Sequence, residues 1–427
     1  MDSLTAFLWE RLGIFSPNTT TILIFLACLF MLRYLLQYAY RANPKHPPGP
    51  RPWPVIGNLL QIIGTDPHKK LAKMAALYGG ILMVHLGPVR TLILSDLDVV
   101  KHAMVRQADC FSDREQPKLL EEAFQSEGSV LWENGTVWKE HRRMVHNAFR
   151  HLGFRQKQFH TAITKEINAL CECLEAKAQT TFDLRNLMTS ATANVICTIC
   201  FGQRYDYGDT EFSNAISSML KISETISGIS VVHLIPKLYH TPLYNKLRRN
   251  VNTLSGFIQK NVHKHRSSFD PSNIRDVIDV YLSNELPDQP DIIWRGLFDL
   301  FTAGSETTAD SLLWAILYLI IHPDIQEKVQ KELDSITVDE IFQYPQSTRL
   351  LPFTYATLME VHRHQSVAPL SVPRVTRVDT TLLGYDIPKG TGVWVNEWAI
   401  HNDPVFWGDR KYFDRRDFSI QEMGRQY

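Results

Sequence analysis

Residues 296–322 read GLFDLFTAGSETTADSLLWAILYLIIH. Apolar residues recur at helical spacing on both sides of the middle, so the run predicts one long interior helix and, with it, an α-rich fold. At its centre stand Gly304, Ser305, Glu306, Thr307 and Thr308. The missing Cβ of Gly304 lets a flat group lie against the helix, and the hydroxyls can bond back to backbone carbonyls and loosen the ladder. Glu306 beside Thr307 places an acid next to a hydroxyl, a pair able to pass protons into an apolar pocket. A polar patch satisfied by partners elsewhere in the fold is the competing explanation, and this stretch alone does not separate the two.

Working outward, amphipathic runs predict helices around 158–177, 183–201 and 245–266. GGILMVHLGPVRTLILSD (79–96) predicts a β-hairpin turning at Gly87-Pro88, and TTLLGYDIPKGTGVWVN (380–396) is a second candidate. The fold class is therefore mainly α with small β-sheets, without an internal repeat or second linker.

The chain has 427 residues, with 45 basic against 45 acidic side chains and 44% apolar residues. That suits a folded protein with a sizeable core and argues against a nucleic-acid partner, since no basic excess is available to release counterions from phosphate. From Thr19 to Leu36, TTTILIFLACLFMLRYLL is almost wholly apolar and close to the ~20 residues that span a bilayer. Asp2 and Glu10 precede it, whereas Arg33, Arg41, Lys45 and Arg51 follow, so the positive-inside rule places the bulk of the chain in the cytosol. Residues 1–40 are accordingly expected to form an uncleaved membrane anchor. PKHPPGPRPWPVIGN (44–58) carries six prolines, and 41–58 is expected to be a stiff, extended hinge with Trp53, Val55 and Ile56 as packing residues. One domain follows, 59–427.

Two further motifs complete the pattern. In LMEVHRHQSVAPLSVPRVT, Glu360 and Arg363 are three apart and can pair on one helix face, and Arg374 follows in a strand-like segment. WKEHRR sets Trp138 and Arg142 on one helical face, a planar donor and a cation suited to carboxylates.

Together these residues resemble the cytochrome P450 family, the haem-thiolate monooxygenases, in its microsomal animal form. AGSETT is similar to the oxygen-activation motif, Glu360 to Arg363 to the ExxR motif, and Trp138 to Arg142 to a WxxxR motif; the likeness runs from the anchor to about residue 418. The resemblance implies a b-type haem (heme) and the cytochrome P450 fold. Ala303 and Gly304 would lie over the distal haem face, and Glu306 and Thr307 would guide protons during dioxygen activation. Trp138, Arg142, Arg114 and Arg374 would bind the propionates, and Glu360 with Arg363 would brace the proximal side. Phe298, Ala303, Val367 and Leu370 would line the substrate pocket, and the segment around 220–240 would dip into the membrane.

The same likeness implies a single-pass protein of the endoplasmic reticulum membrane with its catalytic domain in the cytosol. It would oxidise a lipophilic small molecule with electrons from an NADPH-dependent flavoprotein reductase, docking near Lys139, Arg143 and Arg150. Fatty acids, steroids and foreign compounds all fit as substrates.

One departure is large. A haem-thiolate enzyme needs an axial cysteine; in the family it follows the segment that this sequence resembles last. The six cysteines here, at 28, 110, 171, 173, 197 and 200, all precede the oxygen-activation run. The resemblance thus implies a fold that is C-terminally incomplete, truncated before its haem ligand, and no metal ligand is assigned. In FDRRDF (413–418), Asp417 stands where the family has an arginine that completes the ExxR network. CEC (171–173) and CTIC (197–200) suggest a zinc site, but both lie in apolar helical sequence and read as buried thiols. Two readings remain: a monooxygenase whose 427 residues are inactive alone, and a non-catalytic membrane protein that competes for the reductase.

Overall fold

The computed structural model describes residues 17–41, 45–114, 118–124, 128–152, 157–226, 240–284, 291–341 and 346–408. The chain divides into two compact units, residues 1–112 with 370–399, and residues 113–369 with 400–427.

The first unit holds α1 (Pro17–Arg41) and α2 (Pro67–Tyr78), with strands β1 (Ile81–Leu86), β2 (Val89–Leu94), β3 (Arg374–Val375), β4 (Thr380–Leu382), β5 (Tyr385–Ile387) and β6 (Gly392–Val395). β1 and β2 form the expected antiparallel hairpin, with Ile81 opposite Leu94 and Leu86 opposite Val89. The second candidate resolves differently. β4 and β5 pair through a tight turn at Leu383-Gly384, both at positive φ, whereas β6 leaves them to run parallel to β2 and is flanked by β3. Sheet order is β1-β2-β6-β3, and Leu92, Leu94, Val393, Leu382 and Phe111 build the core beneath it.

The proline segment departs from a free spacer. Pro47, Gly49, Pro50 and Pro52 are buried, and Met83 N–H donates to the Pro48 carbonyl at 2.8 Å. A Cβ on Gly49 would fall 1.9 Å from the Met83 carbonyl oxygen, so only glycine allows this approach. Asn58 accepts from His85 N–H at 2.8 Å and donates to the Arg51 carbonyl at 3.2 Å. Trp53 and Val55, expected to pack, are 59% and 56% exposed. α1 forms where the anchor was expected, but among the described residues no helix is long and apolar enough to cross a membrane. Its described side chains, 21–32 and 35, are exposed.

The second unit contains α3 (Lys118–Phe124), α4 (Gly135–His151), α5 (Lys157–Ala176), α6 (Leu184–Phe201), α7 (Thr210–Ile226), α8 (Asn245–Ser267), α9 (Val277–Ser283), α10 (Asp291–Ile321), α11 (Pro323–Leu333) and α12 (Pro352–His364). The predicted helical runs match α5, α6 and α8 to within two residues. Their ends follow local chemistry. Asp183 caps α6 by accepting from Arg185 N–H, Gly202 ends it in the left-handed region, and prolines occupy the first turns of α11 and α12. α10 packs along α6, with Phe301 against Phe201 and Phe257 from α8, ring centroids 6.4 and 6.1 Å apart.

Near its start α10 carries Gly296 for a packing reason. A Cβ there would lie 2.5 Å from the Tyr281 hydroxyl and 2.9 Å from the His141 ring, two buried groups that hydrogen-bond to each other. Burial lowers the His141 pKa to about 4 despite nearby Asp299, so the imidazole is neutral. Gly296→Ala is expected to destabilise by about 1–3 kcal/mol, because stiff aromatic groups must move. Gly256→Ala, in α8 with nothing within 4 Å of the new carbon, is expected to stabilise by about 0.5–1 kcal/mol. Urea unfolding of both variants checks the pair; equal midpoints would remove the packing argument.

Candidate active site

The middle of α10 is a polar insertion that the helix satisfies from within. Thr302, Ser305, Thr307, Thr308 and Ser311 each donate to the carbonyl four residues back, at 2.6–2.9 Å. Thr192 on α6 adds a 2.9 Å bond to the Ser305 carbonyl. The helix nevertheless runs unbroken from Asp291 to Ile321. Phe301, Ser305 and Ala309 are buried, whereas Ala303, Thr307 and Thr308 are exposed, so a face of small and hydroxylated side chains opens just after the buried first half of the helix, residues 293–301.

Gly304 does not supply that opening. A Cβ on it would meet Ile196 Cδ1 at 2.7 Å, so its free volume is filled by α6 and the exposed face belongs to Ala303 and Thr307. Glu306 is half-buried, and its pKa is raised, chiefly by burial, with Asp310 and Glu224 adding while the Ser223 hydroxyl and Arg185 oppose. Among the described residues Glu306 and Thr307 share no hydrogen bond, because the Thr307 hydroxyl turns to the Ala303 carbonyl at 2.7 Å.

One turn upstream lies a cluster that sequence reasoning missed. Asp299 Oδ2 accepts from Ser129 Oγ at 2.6 Å, Val130 N–H at 2.9 Å and Leu131 N–H at 3.2 Å, and Oδ1 accepts from Arg295 Nη1 at 2.5 Å. The only local signal was an arginine and an aspartate four apart inside an apolar run. Phe298 is buried with its ring 4.7 Å from that of Phe124. Val367 is half-buried in the same unit; Leu370 and Arg374, both half-buried, belong to the other.

On α4 the Arg142 guanidinium is exposed and lies 5.4 Å from the centroid of the Trp138 ring, whose Nε1–H donates to the Val130 carbonyl at 2.9 Å. The indole N–H therefore fixes the turn at 129–132 and leaves Arg142 as the outward group. Arg114 is tied through its backbone to both ends of the Asn134 amide, at 2.7 Å each. In the first unit, Arg374 Nη1 donates to the Phe111 carbonyl at 3.5 Å from strand β3.

Glu360 and Arg363 form a buried two-pronged pair on α12: Nε to Oε2 and Nη2 to Oε1, both 2.7 Å. Arg363 Nη1 reaches the His401 carbonyl at 3.1 Å, and its guanidinium lies 5.2 Å from the Trp407 ring centroid. The 413–418 segment and most of the 220–240 segment, 227–239, lie outside the described residues.

The cysteines are dispersed. Cys197 and Cys200 are buried on α6, and burial pushes both thiols well up, Cys200 helped by Asp276, so neither is disposed to ionise. Among the described residues the one grouping spaced to hold a metal is His265, Asp276 and Asp279, which includes no cysteine and in which Arg275 already pairs with Asp279 at 2.6 Å.

An exposed small-residue face on α10, a cation over an indole and a buried ExxR pair stand where AGSETT, WKEHRR and EVHR suggested them. Comparison with known proteins agrees. The sequence matches the family described as Cytochrome P450 over residues 47–424. It is 33% identical to cytochrome P450 2U1 of Mus musculus over 89% of this chain and 78% of that protein. Cytochrome P450 2J2 of Homo sapiens is 31% identical over 98% and 84%, and cytochrome P450 1A1 of Canis lupus familiaris 32% identical over 88% and 75%. A match of that extent, carried by motifs that the fold places in this way, means that the chain belongs to the cytochrome P450 family of haem-dependent monooxygenases.

Proposed function

We infer that residues 1–427 supply the distal and substrate-binding scaffold of a monooxygenase that inserts one oxygen atom into a lipophilic molecule. The single observation that carries the reading is the exposed Ala303–Thr307 face that follows the buried first half of α10. The donor set fits haem on that side: Ala303 is small enough to admit a flat macrocycle, and Arg142 and Arg114 are cations of the kind that hold propionates. Bound haem supplies the centre that activates dioxygen. Thr307 Oγ1, donating to the Ala303 carbonyl, keeps its lone pairs for a proton-bearing donor on the open side. Glu306, with its pKa raised, holds a proton closer to neutral pH than an ordinary carboxyl and can reload that site through water. Phe298 provides an apolar wall.

The axial side is different. Neither buried thiol of α6 favours the thiolate, and Cys28, Cys110, Cys171 and Cys173 lie outside any Phe- and Gly-rich loop. The six cysteines therefore do not furnish the ligand, which favours inactivity of these residues by themselves and keeps a non-catalytic competitor for the reductase as the second reading. Electrons would come from an NADPH-dependent flavoprotein reductase against exposed Lys139, Arg143 and Arg150. An endoplasmic reticulum membrane placement is supported by the exposed apolar side chains of α1 and by the exposure of Trp53, Val55, Leu60 and Ile63.

The test is the reduced, carbon-monoxide difference spectrum in membranes with haem supplied. Residues 1–427 are expected to give no thiolate-type Soret band, and fusion to a family-type segment carrying a cysteine in its loop is expected to restore one. A band from 1–427 would overturn the cysteine argument. Its absence from the fusion would overturn the monooxygenase reading.

A further inference from the structure

Between Glu224 and Asp270 the sequence contains no acidic residue, although the chain holds 45 acids among 427 residues. Most of the described part of that interval is α8, whose exposed positions carry Lys246, Arg249, Lys260, His263, Lys264 and Arg266. Lys260 is neutralised from α7, by Glu211 at 2.5 Å. The start of α8 is arranged differently.

A cleft of about 380 Å³ opens there, and among the described residues Asn245, Arg248, Arg249 and Asn252 line it. Their spacing puts all four on one stripe of the helix, turned away from Leu247, Val251 and Leu254, which enter the core. The volume lies within the range of about 300–1,000 Å³ that small-molecule sites occupy. Arg248 is half-buried and held in place: Nη1 donates to the Thr241 carbonyl at 3.1 Å and Nη2 donates to Asn245 Oδ1, so its plane is set before a ligand arrives. With that oxygen engaged, the other end of the Asn245 amide is its NH2 donor. Arg249 and Asn252 are exposed, and neither side chain has a partner among the described residues.

We propose that this cleft binds a phosphate monoester. Elsewhere in the protein one guanidinium suffices for one carboxylate, as Arg363 does for Glu360 and Arg275 for Asp279. Two guanidiniums beside two carboxamides suit an anion of higher charge with more acceptor atoms, and a phosphate monoester carries nearly two negative charges on three acceptor oxygens. The cleft is roomier than the phosphate alone requires, so it admits the group to which the phosphate is esterified. That group belongs either to a soluble metabolite or to a lipid, and the recognition chemistry is the same for both. The site is independent of the monooxygenase reading, because no residue of α10 takes part in it.

The experiment uses the full chain in phosphatidylcholine nanodiscs and has two arms. In the first, calorimetry titrates glycerol phosphate against glycerol. In the second, phosphatidic acid is placed in the disc, against phosphatidylserine at equal total charge, and hydrogen exchange follows residues 245–252. Binding of glycerol phosphate but not glycerol identifies a soluble ligand; protection by phosphatidic acid but not phosphatidylserine identifies a headgroup; both together mean that the monoester is read wherever it is attached. In whichever arm responds, Arg248→Gln and Arg249→Gln are each expected to weaken binding by about tenfold or more, the loss of one charge-assisted contact. Lys264→Gln removes the same charge from the same helix away from the cleft and is expected to stay within about twofold of the native chain. Arg249 is exposed and unpaired, so its variant keeps the fold even if the loss of the Arg248 bonds loosens the turn at Thr241. No response in either arm overturns the proposal. So does an equal response to phosphatidic acid and phosphatidylserine, or an equal loss in Lys264→Gln and Arg249→Gln, since either would mean that α8 attracts anions by net charge alone.

Discussion

Glu360→Ala is expected to lower the stability of the second unit by about 3–5 kcal/mol, because it strands the Arg363 charge in the interior. Arg363 is 3% exposed and directs two of its nitrogens at Glu360; the third reaches the His401 carbonyl. Removing the carboxylate leaves a guanidinium that can neither reach water nor neutralise itself. Arg363→Ala should cost a similar amount for the converse reason, a carboxylate at 0% exposure deprived of its guanidinium, with the His364 imidazole Nε2 at 3.2 Å. The double replacement Glu360→Leu with Arg363→Met should cost much less than the sum, since an apolar pair of similar volume avoids both desolvation penalties. Urea unfolding of the three variants decides the matter. Single variants within about 1 kcal/mol of the native chain, or a double variant equal to the sum, would show that the pair is not acting as a buried ionic unit.

What the sequence made legible was local. Glu360 and Arg363 are one helical turn apart, so their pairing needs no distant information, and α5, α6 and α8 follow from apolar periodicity. Whatever depended on a distant partner was not legible. Gly304 invites the reading of an open groove until α6 brings Ile196 into its free volume. The 380–396 stretch looks like one hairpin because nothing within it says that β6 will pair with β2, some 300 residues earlier. The proline segment looks like a spacer because the acceptor and donor that hold it are on β1. Trp53 and Val55 show the same limit from the other side: their apolar character fits packing or an exposed interface equally, and the structure exposes both.

Asp299 is the sharpest case, since its three amide and hydroxyl partners lie 168–170 residues away. Asp299→Ala is expected to cost about 3–5 kcal/mol, as it removes the acceptor for two buried backbone N–H groups and a hydroxyl and leaves Arg295 without its one charged partner. Asp299→Asn should cost less, about 2–3 kcal/mol, because a carbonyl oxygen still accepts on one side while the amide donors conflict with the other. Adding Arg295→Met to Asp299→Ala should recover about 1–3 kcal/mol through the coupling between the two side chains. The damage should also spread in a definite direction. Asp299 holds Val130 through its N–H, the Val130 carbonyl holds the Trp138 indole, and the indole carries Arg142 over its face. Hydrogen exchange should therefore show lost protection at Val130 and Leu131, and weaker protection through α4, while α12 is unchanged. Loss confined to α10 would break the proposed chain of contacts. Protection lost equally in α12 would mean that the aspartate supports the whole unit instead of the turn that positions the cation.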